Sequence, residues 1–195
     1  IDRIESVRGG SASTLASNSP GGVINLISKT GSGEEGNVGL SYGVDYDELR
    51  ADFDYGGPLS DAKDFHIGGF YREGEGVRET GFDGDKGGQI KANLTRHFAR
   101  GHVRFYAKYL DDRVSTYLPA PIRVKSNGEF GPVDNFDASS QSLYSTLQRS
   151  IATFDERGTP RRRDLTDGIE SRVDALGFEL DMDLGAGFDL NNKMR

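Results

Sequence analysis

The residues in this chain that could do chemistry fall into a basic group, an acidic rail and a glycine series. Arg123, Lys125 and the run Arg161-Arg162-Arg163 could attract an anionic ligand through forked and point-charge donors, with Tyr117, Phe130 and Tyr144 as stacking faces. Because Asp155, Glu156 and Asp164 stand beside the arginine run, the same stretch also reads as a solvated loop. Glu179, Asp181 and Asp183 recur at every second position, which suits the lining of a polar wall better than a metal site. Residues 31–36, GSGEEG, match the G-x-G-x-x-G spacing of dinucleotide loops, but the segment that follows alternates like a strand where that fingerprint needs a helix. It reads as a flexible linker.

Catalysis finds little support. Gly9-Gly10-Ser11-Ala12-Ser13 lacks the last glycine of a nucleophile elbow, and Asp83-Gly84-Asp85 lacks the later residues of a calcium loop. His66, His97 and His102 do not share a face at metal-ligand spacing, and the absence of cysteine removes thiol chemistry and Cys-type zinc sites. The chain is therefore expected to be neither an enzyme nor the holder of a metal or cofactor.

The elements that must position these groups are strands. Val38, Leu40, Tyr42 and Val44 alternate with Asn37, Gly39, Ser41 and Gly43, and Leu49, Ala51, Phe53 and Tyr55 alternate with Arg50, Asp52, Asp54 and Gly56. The same period of two returns at 65–72, 89–95, 103–109 and 176–184, and a seventh strand begins at Phe188. Short turns and longer polar loops separate these runs in alternation. Residues 114–166 break the rhythm with a long stretch of loop composition, in which Leu143, Leu147, Ile151 and Phe154 are spaced as one face of a helix that Asp137 or Ser140 could start.

Residues 1–30 have their own order. A strand at 1–8 is broken by Gly9-Gly10, residues 11–15 can make one helical turn, Pro20-Gly21-Gly22 re-enters extended backbone, and 23–30 is a second strand. With β-branched residues on both faces, that second strand is expected to be buried.

Composition narrows the class. The net charge of −7 argues against a nucleic-acid partner, and no run approaches the roughly 18 to 20 apolar residues that a spanning helix needs. A transmembrane barrel stays open, since it confines its apolar residues to alternate positions. A soluble sandwich also has one apolar face, so alternation alone leaves both readings standing.

Arg8-Gly9, followed by Pro20-Gly21-Gly22-Val23-Ile24-Asn25 and then Ser28-Lys29, resembles the end of the plug domain of TonB-dependent outer-membrane receptors. The likeness covers about a sixth of the chain and departs at Gly10, Ala12 and residues 14–16. It implies an all-β fragment: residues 1–33 end the plug, and 37–195 form the first strands of an antiparallel transmembrane β-barrel of about 22 strands, with a long extracellular loop at about 114–166. Seven strands fall short of the roughly eight in the smallest such barrels, so closure needs more chain.

The resemblance further implies active import of a scarce ligand (a ferric siderophore, a cobalamin-like compound or an oligosaccharide) across the outer membrane of a Gram-negative bacterium. TonB would drive it through a segment outside residues 1–195, and outer-membrane lipid would surround the wall. Carried onto this sequence, Glu5 and Arg8 would be plug–barrel contacts, while Gly9, Pro20, Gly21 and Gly22 would shape the plug turn. Arg123, Lys125, Arg161, Arg162 and Arg163 would then be candidates for contact with an anionic chelate or with lipopolysaccharide. The alternatives are a soluble β-sandwich or adhesin-like binding module, or a plugless porin.

Overall fold

The computed structural model describes residues 1–8, 21–144 and 149–195, and over these the chain is all-β with no α-helix. Gly9, Pro20, Leu147 and the helical turn expected over 11–15 lie outside the described residues. Strands β1 (Arg3–Val7) and β2 (Val23–Ile27) pair as an antiparallel ladder of their own. At its closed end Gly22 adopts φ +122°, and a Cβ there would stand 2.6 Å from the Val7 carbonyl oxygen, so a side chain is excluded on two counts.

The main sheet is an antiparallel meander. Strands β3 (Glu35–Tyr42), β4 (Glu48–Ser60), β5 (Lys63–Gly74), β6 (Asp85–Phe98) and β7 (Gly101–Val114) follow one another in space as in sequence. Between β7 and the next sheet strand the chain forms two small hairpins, β8 (Ile122–Val124) with β9 (Phe130–Pro132) and β10 (Ser150–Phe154) with β11 (Pro160–Asp164). A 3-10 turn at Leu165–Asp167 leads into β12 (Ile169–Gly185), which pairs with β7, and β13 (Phe188–Met194) completes the seven-stranded sheet. Turns at 61–62, 99–100 and 186–187 gather at one end of the sheet, and the longer connections 43–47, 75–84 and 115–168 at the other.

Register aligns side chains of like polarity into rows. On one face Val38, Phe53, Gly69, Ile90 and Tyr109 stand side by side across β3 to β7, and Phe65, Leu94, Phe105, Phe178 and Met194 across β5 to β13. These rows are open: Val38 is 84% exposed, Leu176 79% and Phe105 57%. The other face holds buried polar side chains, with Thr95 fully buried and His66, Asn93 and Glu179 nearly so. A domain that folds in water buries its apolar layer; this sheet presents the reverse.

Three expectations need correction. The helix over Leu143, Leu147, Ile151 and Phe154 does not form at its second half, because Ile151 and Phe154 belong to β10, whose register sets Ile151 opposite Arg163. The turn between β10 and β11 explains why: the Asp155 side chain accepts the backbone N–H groups of Arg157 and Thr159, and Gly158 takes φ +76°, which closes a hairpin. Strand β2 is not buried, since the β1–β2 ladder gains no third strand among the described residues and leaves Ile24 and Leu26 exposed. The glycine series at 31–36 is docked instead of flexible at its start, where Gly31, at φ +81°, lies so close to the Phe65 carbonyl that no Cβ would fit.

Candidate functional site

On the polar face of the sheet and the segment that crosses it, charged groups converge from several elements. The chain leaving β2 brings Lys29 onto this face, where its ammonium group contacts Asp54 at 3.1 Å and Glu35 at 3.2 Å. The Asp54 carboxylate, followed by Glu35, holds the Lys29 ammonium above its ordinary pKa. The Lys29 carbonyl accepts a hydrogen bond from the Asn93 side-chain amide at 2.9 Å. Lys29 thus ties the segment to β3, β4 and β6 at once.

A cleft of about 1450 Å³ remains between this segment and the sheet, lined by Arg3, Asn25 and Lys29 on one side and by Lys91, Lys108 and Glu179 on the other. Around it the charges are organised in cross-strand groups. Glu179 accepts a short hydrogen bond from the Tyr106 hydroxyl and stands 3.4 to 3.7 Å from Lys193, His102 and Arg104. Arg104 also donates to Thr95 at 2.7 Å, which satisfies the one fully buried side chain of the sheet. Arg72 makes a forked contact with Asp112 at 3.1 and 2.7 Å, and Asp85 in turn accepts the Ser115 backbone N–H at 2.8 Å. Arg50 pairs with Asp52 and lies 4.1 Å from the Phe70 ring centre.

The long connections are stitched together at their end of the sheet. The Glu79 N–H donates to the Ser140 carbonyl and the Ser142 hydroxyl donates to the Glu79 carbonyl, so loop 75–84 and loop 115–168 share a short ladder. Tyr117 accepts the Arg78 N–H at 3.2 Å, Arg78 lies over its ring, and Tyr144 meets both Tyr117 and Phe82 edge-on. Burial pushes the Tyr117 hydroxyl above its ordinary pKa.

The site residues inferred from sequence are placed as follows. Glu5 accepts from Arg3 at 2.9 Å and Asn25 at 3.1 Å, both within the β1–β2 hairpin, and the Arg3 contact holds its carboxyl below the usual range. Arg8 follows directly on β1, and Gly21 and Gly22 precede β2. The basic group is divided. Arg123 pairs with Asp134 and Lys125 with Glu129 on the β8–β9 hairpin, whereas Arg161 pairs with Asp155 and Arg163 with Glu170 on or beside β11. Strand alternation turns Arg162 to the face opposite Arg161 and Arg163, where it donates to Ser150. Tyr117 and Tyr144 come together, while Phe130 sits on β9, 71% exposed.

Sequence reasoning missed Lys29 as the tie to the sheet, along with Phe82 and Arg78 as partners of the tyrosines. In sequence Lys29 stands out only as part of a motif, because its spacing from Asp54 carries no local signal. No family model matches the chain, and comparison with curated proteins and with solved structures finds no match either.

Proposed function

We propose that this chain is part of a TonB-dependent outer-membrane receptor, in which the sheet is a section of a closed transmembrane barrel and residues 1–33 are the end of its plug. The observation that carries this reading is the inverted polarity of the sheet, with aromatic and aliphatic rows open on one face and charged networks buried on the other. Such a layer is stable where acyl chains cover the apolar rows and water or a plug covers the polar ones. The unpaired outer edges of β3 and β13 would leave backbone groups unsatisfied in hydrocarbon, so the reading requires further strands from a longer protein.

A soluble sandwich would bury Val38, Leu176 and Phe105, which are open here. The ion pairs of Lys29 on the polar face favour a plugged barrel over a plugless porin. In this reading the intact protein imports a scarce small-molecule or metal-chelate ligand, the stitched loops stand at the ligand-facing end, and TonB pulls on a plug segment outside residues 1–195.

The test is fractionation of cells expressing the intact protein. The reading expects it in the outer membrane, migrating faster on an unheated denaturing gel than after boiling, and expects deletion of the gene to slow ligand-limited growth as loss of TonB does. Recovery as a water-soluble monomer whose migration ignores heating would overturn it.

A further inference from the structure

We propose that Lys91 and Lys108 form a carboxylate-binding site in the cleft between the β2–β3 segment and the polar face; the proposal rests on the barrel reading and adds a ligand-binding site inside it. The two lysines stand directly opposite each other on β6 and β7, in a row that runs Asn37, Asp54, Gly68, Lys91, Lys108, Ala175 across the sheet. Both are half-buried and both line the cleft. Among the described residues, neither ammonium group makes an ion pair or a hydrogen bond.

Every other half-buried cation on this face has its carboxylate. Lys29 has Asp54, Arg50 has Asp52, Arg72 has Asp112 and Arg104 has Glu179. Like charges directly opposite each other in a ladder destabilise it, and a partly desolvated ammonium group without a counter-charge adds to the cost. An arrangement with two such groups side by side is relieved by one anion that reaches both.

The floor around the pair is open to receive it. Its row neighbours are Gly68 and Ala175, which project no bulk toward the two ammonium groups. Opposed residues in an antiparallel ladder lie about 5 Å apart at Cα, a spacing at which the two oxygens of one carboxylate can each meet an ammonium group. The counter-ion used elsewhere on this face is consistently a carboxylate, and two of them already bracket Lys29 from the same row and its neighbour. The carboxylate comes either from an acidic side chain of a plug portion outside residues 1–195 or from a carboxylate-bearing solute in the bore.

The experiment uses the intact protein in detergent, with peptide mass spectrometry after amine acetylation and after treatment with a water-soluble carbodiimide, which joins ion-paired lysines to their carboxylates. Lys29, joined to Asp54 or Glu35, is the internal positive control, and exposed Lys63 reports unhindered labelling. Carbodiimide products linking Lys91 or Lys108 to an acidic residue of the protein support the site and identify its occupant as internal. Free acetylation that slows about tenfold in sodium citrate against sodium chloride of equal ionic strength, the protection expected at a citrate concentration about nine times Kd, supports it with a solute as occupant. In that case K91Q should abolish protection of Lys108, and K91R should keep it. If both lysines are labelled as fast as Lys63 in either salt, with no carbodiimide product, the site is overturned. The unheated gel, run on the same sample, separates that result from failure of the barrel itself.

Discussion

Phe53 sits in the middle of β4, 41% exposed, between Val38 and Gly69 in one row of the apolar face. Leu49 lies on the same face and strand at 54% exposure, four residues nearer the long connections and directly opposite Glu73. Four residues of strand are about 13 Å of rise, enough to carry a side chain from the centre of a bilayer to its rim. If acyl chains cover this face, Phe53→Arg should cost about 2–4 kcal/mol of folding free energy, whereas Leu49→Arg should cost about 0–1 kcal/mol because the new guanidinium meets headgroups and the Glu73 carboxylate. At about 1.4 kcal/mol per decade, the central substitution lowers the folded-to-unfolded ratio by roughly 30-fold to 1,000-fold. Reversible urea unfolding of the intact protein in lipid vesicles measures both. A face that meets only water predicts changes within about 0.5 kcal/mol at both positions, and a face packed on protein predicts large losses at both. Equal effects at Phe53 and Leu49, of either size, would refute the argument, because only a bilayer imposes a gradient with depth.

Arg72→Ala should destabilise by about 1.5–3 kcal/mol, since it leaves Asp112 and Asp85 poorly solvated without their cation. A double-mutant cycle with Asp112→Ala should return a coupling energy clearly above zero, and additive losses would count against the forked pair. The Asp155 carboxyl is held below the ordinary carboxylate value of about 3.9, first by the Thr159 N–H and then by Arg161. Its contribution to the β10–β11 turn is therefore complete above that value and is lost as pH falls through the lower folded value. Amide exchange at Arg157 and Thr159 should accelerate in that acid window and should already be fast in Asp155→Ala at neutral pH. Tyr117→Phe removes the acceptor for the Arg78 N–H, so loop 75–84 should lose about 1 kcal/mol of local stability, read as faster exchange at Arg78 with the sheet unchanged.

The strands and their faces were readable from sequence because successive side chains point to opposite sides of any extended backbone. Over 38–109 and 176–184, polar and apolar residues obey that period closely enough to assign most strand positions to a face. Two tight turns were readable for a related reason: Arg100-Gly101 and Gly185-Ala186-Gly187 interrupt the alternation where the chain must reverse, whereas the Gly57-Pro58 pair, which reads as opening a turn over 57–61, lies inside β4, and the chain reverses only after Ser60. Strand ends were less legible. β12 begins at Ile169, well before the apolar alternation at Leu176, because its first half pairs with residues 107–114 through backbone groups that carry no hydropathy signal.

Residues 143–154 misled for a different reason. The spacing of Leu143, Ile151 and Phe154 satisfies a helical period, yet a turn closed by Asp155 and Gly158 brings 150–154 against 160–164, and ladder hydrogen bonds outweigh a sparse periodic pattern. Local periodicity cannot register a competitor that lies beyond the next turn. The basic run at 161–163 reads as one cluster in sequence and becomes two faces once it is a strand.

The amino-acid order by itself determined the class of structure, the two faces of each strand and the places where the chain reverses, since all three follow from backbone geometry within a few residues. Only the tertiary structure decided which side chains stand across from one another: Lys29 on Asp54, Glu179 among Tyr106, Arg104 and Lys193, and Lys91 against Lys108. Those meetings depend on register between strands distant in the chain. A shift of one residue in any ladder would leave the composition untouched and exchange every partner.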